Sequence, residues 1–240
     1  MAPRKVPACG PLIWDRLGES PSAAVGRIVH AAIKLADRDG VEKVSMRGLA
    51  SELGCGAMSL YHYVPSKADL LDLLLDAAMG GVALPERPSG DWRADLDTVA
   101  TETRACLKRR PWLVGLLHSR PAIGPKRLAQ FEFSLAAVAG LGLDVAAMHR
   151  MVALLYVYTT GFVMLELSEA DALRRARHGR SKTLPPYVSR LISTGALPNI
   201  GRMLRELDGP PASDAAFEDG LGLVFEGMAA LVKTTRQGMT

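Results

Sequence analysis

Apolar residues recur at three- and four-residue intervals along most of the chain, and no segment shows the strict alternation of a half-buried strand. The first such series includes Val25, Ile28 and Ile33 on one face. Ser22 before it has the side chain of a helix N-cap, and Gly40 after it is a typical helix stop. We therefore predict a helix between these two residues, and an all-α fold for the chain as a whole.

Two short helices joined by a tight turn are predicted next. Ser45 can cap the first of them, which stops at Gly54. The second is the segment AMSLYHYV, residues 57–64, in which Leu60 and Val64 stand four residues apart. This spacing predicts that both side chains anchor the helix in the core and leave its other faces exposed.

A longer helix is predicted from Ser66, because Ser66 and Asp69 form the start of a capping box with Asp in place of the usual Glu. It runs to Gly80 or Gly81, and the stretch LPERPSG that follows has the composition of a linker. Asp91 is the predicted cap of the next helix. Seven further helices, each bounded by Pro, Gly or Asp, are predicted over residues 92–109, 111–118, 125–141, 145–167, 184–193, 199–207 and 212–234.

This pattern divides the chain into three parts. Residues 1–21 lack periodicity and are expected to form a flexible N-terminal arm. Residues 22–81 are predicted to be one helical domain and residues 91–240 a second, with the linker between them. The basic run RRARHGRSK, residues 174–182, is expected to be a mobile, solvated connection between helices.

Charge and motifs narrow the class of function. The formal net charge of +4 permits a polyanionic partner without establishing one. The chain has no HExxH, no GxSxG and no Gly-rich phosphate loop, so we expect no enzymatic activity. A DNA-binding domain would depend on well-placed contacts instead of a broad basic field, since the positive excess between residues 27 and 67 is slight.

Cysteine usage and hydropathy indicate the cellular setting. Cys9, Cys55 and Cys106 form no CxxC pair, so we expect no disulfide framework and no metal site. We also expect no cofactor. The N-terminus lacks the order of a signal peptide, and the longest apolar segment is interrupted by Glu166. We expect a cytoplasmic protein that does not associate with a membrane.

The three helices between residues 22 and 64 have the order of a helix-turn-helix, whose last helix enters a DNA major groove. The run SMRGLASELGCGAMSLYHYVPSKADLLDLLLDA, residues 45–77, closely resembles the signature of TetR-family transcription regulators. This resemblance extends back without a gap through AAIKLADRDGVEKVSM, from residue 31. The later segments RRPWLVGLL, GPKRLAQFEFSLAAVAGLGL and FEDGLGLVFEGMAALV resemble the ligand-binding domain of the tetracycline-repressor-like branch.

The resemblance implies a one-component repressor that binds a palindromic operator as a homodimer and is released by a small-molecule effector. The helix from Ser66 would bridge the helix-turn-helix domain and the ligand-binding and dimerisation domain. The alternative is a DNA-binding protein of the same fold that has no small-molecule ligand and is either constitutive or controlled by a protein partner.

The resemblance also implies which residues meet DNA. Arg47 has the forked guanidinium that suits guanine, and His62 can bond to a base edge. Tyr61 and Lys67 suit phosphate oxygens, which position the protein without reading sequence. The full set is Arg47, Ala57, Met58, Ser59, Tyr61, His62, Tyr63 and Lys67. Two of its members, Ala57 and Met58, are apolar, so direct readout would use fewer hydrogen bonds.

The C-terminal half is expected to hold an effector cavity and a dimer interface. Aromatic, Met and isolated polar side chains are the candidate cavity lining, although residues of this kind at helical spacing also form ordinary cores. The candidates are Trp112, His118, Phe131, Met148, Met151, Tyr156, Phe162 and Glu166. A stripe on the last helix, with glycines between its members, is the predicted dimer interface: Phe217, Leu221, Val224, Phe225, Met228 and Val232.

Overall fold

A computed structural model describes residues 12–18, 22–120, 123–177, 186–206 and 212–237 of the chain. Within these ranges the regular structure is entirely helical, which confirms the predicted all-α fold. Single turns of 3-10 helix at Val41–Lys43 and Ala139–Leu141 accompany the α-helices. The α-helices are α1 (Ile13–Leu17), α2 (Ala23–Asp39), α3 (Met46–Glu52), α4 (Ala57–Tyr63), α5 (Lys67–Met79), α6 (Trp92–Arg109), α7 (Trp112–Ser119), α8 (Pro125–Val138), α9 (Val145–Arg177), α10 (Pro186–Ser193), α11 (Pro198–Glu206) and α12 (Asp214–Gln237).

The helices form two compact units, of which the first ends at Val152 and the second begins at Ala153. In the first unit α2 packs against α5, α6 packs against α8, and α5 also contacts α1, α7 and α8. The predicted linker at residues 82–90 therefore lies inside this unit, because α5 before it packs against helices that follow it. The division into domains at residues 22–81 and 91–240 stays a prediction.

Side-chain caps fix the starts of the helices as the sequence predicts. The hydroxyl oxygen of Ser45 accepts the Gly48 amide at 3.1 Å, and that of Ser66 accepts the Asp69 amide at 3.1 Å. The Asp91 carboxylate likewise accepts backbone amides in the first turn of α6. Each cap satisfies donors that have no partner within their own helix.

The predicted flexible arm is wrong for residues 13–17, which form helix α1. Ile13 is only 2% exposed, and α1 packs against α5. The Asp15 carboxylate accepts the Leu12 amide at 2.8 Å and so closes the first turn. Apolar burial therefore orders this short segment, whereas residues 1–11 and 19–21 lie outside the described part of the chain.

Helix α9 continues ten residues beyond its predicted end at residue 167, to Arg177. Arg174 and Arg175 were expected in a mobile connection, but they belong to this helix and pair with Asp171 at 2.7 and 3.3 Å. Ion pairs three and four residues apart support a helix on its exposed side. The end of the basic run, residues 178–182, lies outside the described residues.

In the second unit α9 and α12 pack together through aromatic side chains. The ring of Phe217 stacks on Tyr158, with centroids 5.6 Å apart, and meets Phe162 edge-on at 5.2 Å. The Tyr158 hydroxyl donates to the Phe217 carbonyl at 2.7 Å, and Glu169 accepts the Ala212 amide at 3.2 Å. These pairings make α9 and α12 antiparallel.

Most of the apolar stripe of α12 faces the core of the chain and not solvent, which argues against the predicted dimer interface. The chain itself buries this stripe, whose members form part of its own core, and buried side chains have no area left to offer a partner. Leu223 on the other side of α12 is 76% exposed, and Gly222 and Gly227 are exposed near it. Of the six predicted residues, Phe217, Leu221, Phe225, Met228 and Val232 are buried and Val224 is half-buried.

Candidate nucleic-acid interface and its links to the C-terminal half

Helices α3 and α4 form a helix-turn-helix. The turn between them needs Gly54, whose φ of +64° is in the left-handed region that favours glycine. The Cys55 amide donates to the Ala50 carbonyl at 3.0 Å, which returns the chain toward α3. Leu60 and Val64 are buried as predicted, so they fix the orientation of α4 by packing its inner side into the core.

The opposite side of α4 is a solvent-exposed row of side chains. Met58 is 81% exposed, and Tyr61, His62 and Tyr63 are exposed beside it. The rings of His62 and Tyr63 meet edge-on with centroids 5.2 Å apart. The helix contains no acidic residue that would repel phosphate. Of the predicted DNA-contacting set, Arg47, Met58, Ser59, Tyr61, His62, Tyr63 and Lys67 are exposed and Ala57 is half-buried.

Two of the predicted effector-binding residues have other surroundings. The Trp112 indole nitrogen donates to Asp37 of α2 at 2.8 Å, and Arg110 bonds to the same carboxylate at 3.3 Å. Trp112 therefore joins α7 to α2, the first helix of the helix-turn-helix domain, and its role in effector binding stays a prediction. His118 is exposed, with Nδ1 2.9 Å from the Val114 carbonyl of its own helix, and its role in effector binding also stays a prediction.

The other six candidates for the effector site lie on α8 and α9. Phe131 is half-buried and packs edge-on against His149, and Met151 is buried. Four cavities of about 210, 370, 400 and 390 Å³ in the first unit are lined by described residues beside α1, α5 and α8, and none of the eight candidates lines these four. The effector role of Phe131, Met148, Met151, Tyr156, Phe162 and Glu166 stays a prediction.

Helix α5, which directly follows the recognition helix, is held along its length by α6, α7 and α8, which belong to the same compact unit and to the part of the chain after the predicted linker. Near its start the Arg120 guanidinium donates to Asp72 at 2.7 Å and to the Ala68 carbonyl at 2.8 Å. The hydrogen bond that Arg120 donates to Asp72 raises the pKa of Arg120 above its ordinary value. Arg120 ends α7, so this contact ties α7 to α5.

At the end of α5 and just beyond it, three backbone carbonyls accept hydrogen bonds from side chains of α6 and α8. The thiol of Cys106 donates to Ala78 at 3.4 Å, and the amide of Gln130 donates to Met79 at 2.5 Å. The Arg109 guanidinium donates to the Gly81 carbonyl at 3.2 Å. Burial raises the pKa of the Cys106 thiol, which keeps it protonated as a donor.

Asp76 provides a contact in the opposite direction, from α5 to α8. Its side chain is buried, and its carboxylate accepts the Arg127 amide in the first turn of α8 at 3.0 Å. Burial raises the pKa of this carboxyl, against the opposing effects of the Arg127 amide and of Lys126. None of these links to α5 was predicted from the sequence.

The geometry defines a class of protein: a helix-turn-helix DNA-binding regulator whose recognition helix is followed by a bridging helix bonded to a helical C-terminal half. Residues 28–74 match the family described as bacterial regulatory proteins, tetR family, and residues 84–232 match the tetracyclin repressor-like, C-terminal domain. The chain belongs to the TetR family.

Similar proteins agree with this assignment. The HTH-type transcriptional repressor DrrR1 of Streptomyces coeruleorubidus is 33% identical over 94% of this chain and 86% of its own length. An HTH-type transcriptional regulator of Saccharopolyspora erythraea is 42% identical over 61% of this chain and 62% of its own length. Among solved structures, the Streptomyces coelicolor TetR family protein ActR in complex with actinorhodin has a TM-score of 0.70 and 27% identity, covering 89% of this chain and 99% of its own. The interpretation as a ligand-responsive transcriptional repressor with a helix-turn-helix is thereby confirmed.

Proposed function

We propose that this chain binds a two-fold symmetric operator as a homodimer through α4, represses transcription there, and leaves the DNA when a small organic effector binds its C-terminal half. The observation that carries the proposal is the arrangement of α4. Leu60 anchors it from below, while its other side presents exposed side chains free of acidic groups. We propose a regulatory role without catalysis.

The exposed row supplies both kinds of DNA contact. Arg47 and His62 read base edges in the major groove, and Met58 contacts a thymine methyl group. Ser59, Tyr61, Tyr63 and Lys67 bond to phosphates and fix the register of the helix. Ala57 at the first turn of α4 is small enough to let the helix approach the groove closely. Because few groups read base edges, positioning contacts carry much of the affinity, and binding should weaken steeply as salt rises.

Selection of bound duplexes from a random pool by the purified protein tests operator binding. A palindromic sequence is expected, with half-sites one helical turn, about 34–36 Å, apart. Replacing Tyr61 and His62 together with Ala should weaken binding to the selected duplex at least about 100-fold while circular dichroism stays unchanged. Tyr187→Ala is the matched control, because Tyr187 is also an exposed tyrosine but lies on α10. Unchanged binding by the double variant would refute the interface.

The homodimer is proposed to form through the exposed sides of α9 and α12 in place of the buried stripe. On α9 the exposed Leu154, Val157 and Met164 follow helical spacing around the open Gly161, and Leu223 lies exposed on α12. Exposed apolar residues aligned on two packed helices form an area that a second copy can cover by the same surface. Sedimentation equilibrium is expected to give the mass of two chains.

Helix α9 is also long and apolar enough to cross a membrane, with a mean hydropathy of 1.5 over its best window. We favour a second chain as the cover of its apolar side, since α9 packs against α12 and bears the charged residues Glu166, Glu169 and Asp171. The proposed location is the cytoplasm, where the operator DNA is found.

A small organic effector is proposed because ActR, which is similar along nearly the whole chain, has been solved in complex with actinorhodin. Actinorhodin is therefore the first probe. If it binds, it should raise the melting temperature of the protein and release the selected duplex, since binding to the folded state stabilises it. A broader compound screen uses the same two measurements, the melting temperature and the release of the selected duplex. A protein that binds its operator but responds to no compound in either assay would favour the alternative of a constitutive or partner-controlled factor.

A further inference from the structure

Asp76 is a charged residue in the buried part of helix α5. Its side chain is only 4% exposed, and its neighbours Leu73, Leu74 and Leu75 are buried as well. Its carboxylate accepts the Arg127 amide at 3.0 Å, so it occupies the place of an N-cap for α8 although it belongs to another helix. The N-cap residue of α8 is Gly124, which has no side chain to perform this task.

Gly124 is needed for this contact because of close approach and not because of its backbone angles, since its φ is −72°. A Cβ at Gly124 would overlap the carboxyl group and the Cβ of Asp76. The Cβ cannot move out of the way without a shift of the helix backbone. The two helices are thus in direct contact at this point, with no flexible side chain between them.

This directness distinguishes Asp76 from the three links to α5 that long side chains make, whereas the Cys106 thiol is a second short link, to the Ala78 carbonyl. Arg109, Arg120 and Gln130 reach α5 through several rotatable bonds, so they can follow a small helix displacement by changing rotamer. The short Asp76 side chain joins one helix to a backbone amide of the other and permits little relative motion. Any displacement of the first turn of α8 must therefore move α5 or break this bond.

The contact is also not explained by stability alone. A buried carboxylate loses its hydration, and a well-packed apolar residue is often as stabilising at such a position. A direct acceptor for the α8 amide, in contrast, specifies one position of α5 relative to α8. Only three residues separate the end of the recognition helix from the start of α5.

We propose that Asp76 is a positioning residue that couples the DNA-binding helices to the C-terminal half, by capping α8 from within α5 against Gly124. The inference rests on the proposed function, in which effector binding in the C-terminal half releases the DNA, and it adds that this release comes from a change in position of the recognition helices. Breaking the cap uncouples the two halves, widens the range of positions of α4, and weakens operator binding more than the loss of stability accounts for.

The test compares Asp76→Ala, Asp76→Asn and Gly124→Ala with a control at Asp95. Asp95 is also an aspartate that is only 4% exposed, and its carboxylate accepts the backbone amide of Ser89. This contact is local, because Asp95 lies in the first turn of α6 and Ser89 lies just before that helix. Asp76→Ala and Gly124→Ala should weaken binding to the selected duplex at least about fivefold, the low end of couplings between sites. Asp76→Asn keeps an oxygen acceptor and should stay within about twofold of wild type, as should Asp95→Ala.

A second readout measures the positions of the helix-turn-helix domains directly. The exposed Cys55 lies in the turn before α4, whereas Cys106 is buried, so a spin label in a Cys9→Ser background reports the distance between the two domains of a dimer. Asp76→Ala and Gly124→Ala should broaden this distance distribution in the absence of DNA. Asp76→Asn and Asp95→Ala should leave it as in wild type.

A purely structural role would lower the melting temperature of Asp76→Ala and leave the duplex affinity and the distance distribution unchanged, and that result would overturn the proposal. Failure of Asp76→Asn to restore both readouts, or equal effects of Asp95→Ala, would overturn it as well. If Asp76→Ala does not fold, Gly124→Ala and Asp76→Asn carry the test. Absence of duplex binding or of an inter-label distance in the wild type would instead contradict the proposed function.

Discussion

Replacing Phe217 with Ala tests which side of α12 is the core of the chain. Phe217 is 2% exposed and lies between the rings of Tyr158 and Phe162. Truncating a buried Phe to Ala costs about 3–5 kcal/mol through lost burial and the cavity that remains. Two ring contacts are lost with it, so we place the cost at about 4 kcal/mol. For a chain of this size, each kcal/mol lowers the melting temperature by about 2–4 °C, which gives a decrease of about 8–16 °C.

The assay combines thermal unfolding followed by circular dichroism with sedimentation equilibrium at several protein concentrations. Leu223→Glu is the matched variant on the other side of α12, where Leu223 is 76% exposed. It should leave the unfolding of the isolated chain nearly unchanged, because surface substitutions usually cost less than about 0.5 kcal/mol. It should weaken the dimer, because two-fold symmetry brings the new charge into the proposed interface from both chains.

The opposite pattern would refute the reasoning. If Phe217→Ala dissociates the dimer without lowering the melting temperature of the chain, then Phe217 faces a partner and the stripe predicted from the sequence was right after all. If Leu223→Glu leaves a dimer that resists dilution as well as the wild type does, the exposed side of α12 is not part of the interface. Both measurements need several concentrations, because dimer formation itself raises the melting temperature.

Helix starts were predictable from the sequence because they depend on local chemistry. Ser45, Ser66 and Asp91 each bond to a backbone amide two or three residues away, so short segments hold the whole signal. The end of α9 was not predictable in this way. Its last turns carry Asp171 with Arg174 and Arg175, a charge density that is equally typical of a loop and of an exposed helix.

It was harder to predict which side of a helix faces the core of its own chain than to predict the helix itself. Helix α12 is apolar around much of its circumference, with the stripe from Phe217 to Val232 on one side and Leu223 on another. Periodicity shows that a stripe is buried but not whether the same chain or a partner buries it. The contact of Trp112 was missed for a related reason, since its indole meets Asp37, 75 residues earlier in the chain. Such a pairing is fixed by the tertiary fold alone.

Three further predictions follow from local geometry and burial. Ser66→Ala removes the cap of α5 and should lower the free energy of unfolding by about 1 kcal/mol, measured in urea. Gly54→Ala places a Cβ at φ +64°, which should cost about 1–2 kcal/mol and weaken duplex binding by disturbing the turn before α4, as a gel shift would detect. Burial raises the pKa of Asp76, so the folded chain holds this proton more tightly than the unfolded chain, and the charged carboxylate destabilises the fold at neutral pH. Asp76→Asn should therefore gain stability over wild type near neutral pH, and this gain should shrink as the pH falls through the folded-state pKa; a gain that grows toward acid would contradict the assignment.

The sequence did contain a signal for the links between α5 and the C-terminal half. Asp69, Asp72 and Asp76 stand three and four residues apart in a helix whose other positions are mostly Leu and Ala. A carboxylate in an apolar helix must find a donor if it is buried, so the series predicts contacts along that side of α5. The three residues find different donors: the hydroxyl of Ser66, the guanidinium of Arg120 and the backbone amide of Arg127. Sequence spacing identifies the acceptors and the local donor Ser66, but the donors to Asp72 and Asp76 come from distant segments. The absence of a side chain at Gly124 matters only once the two helices are brought together.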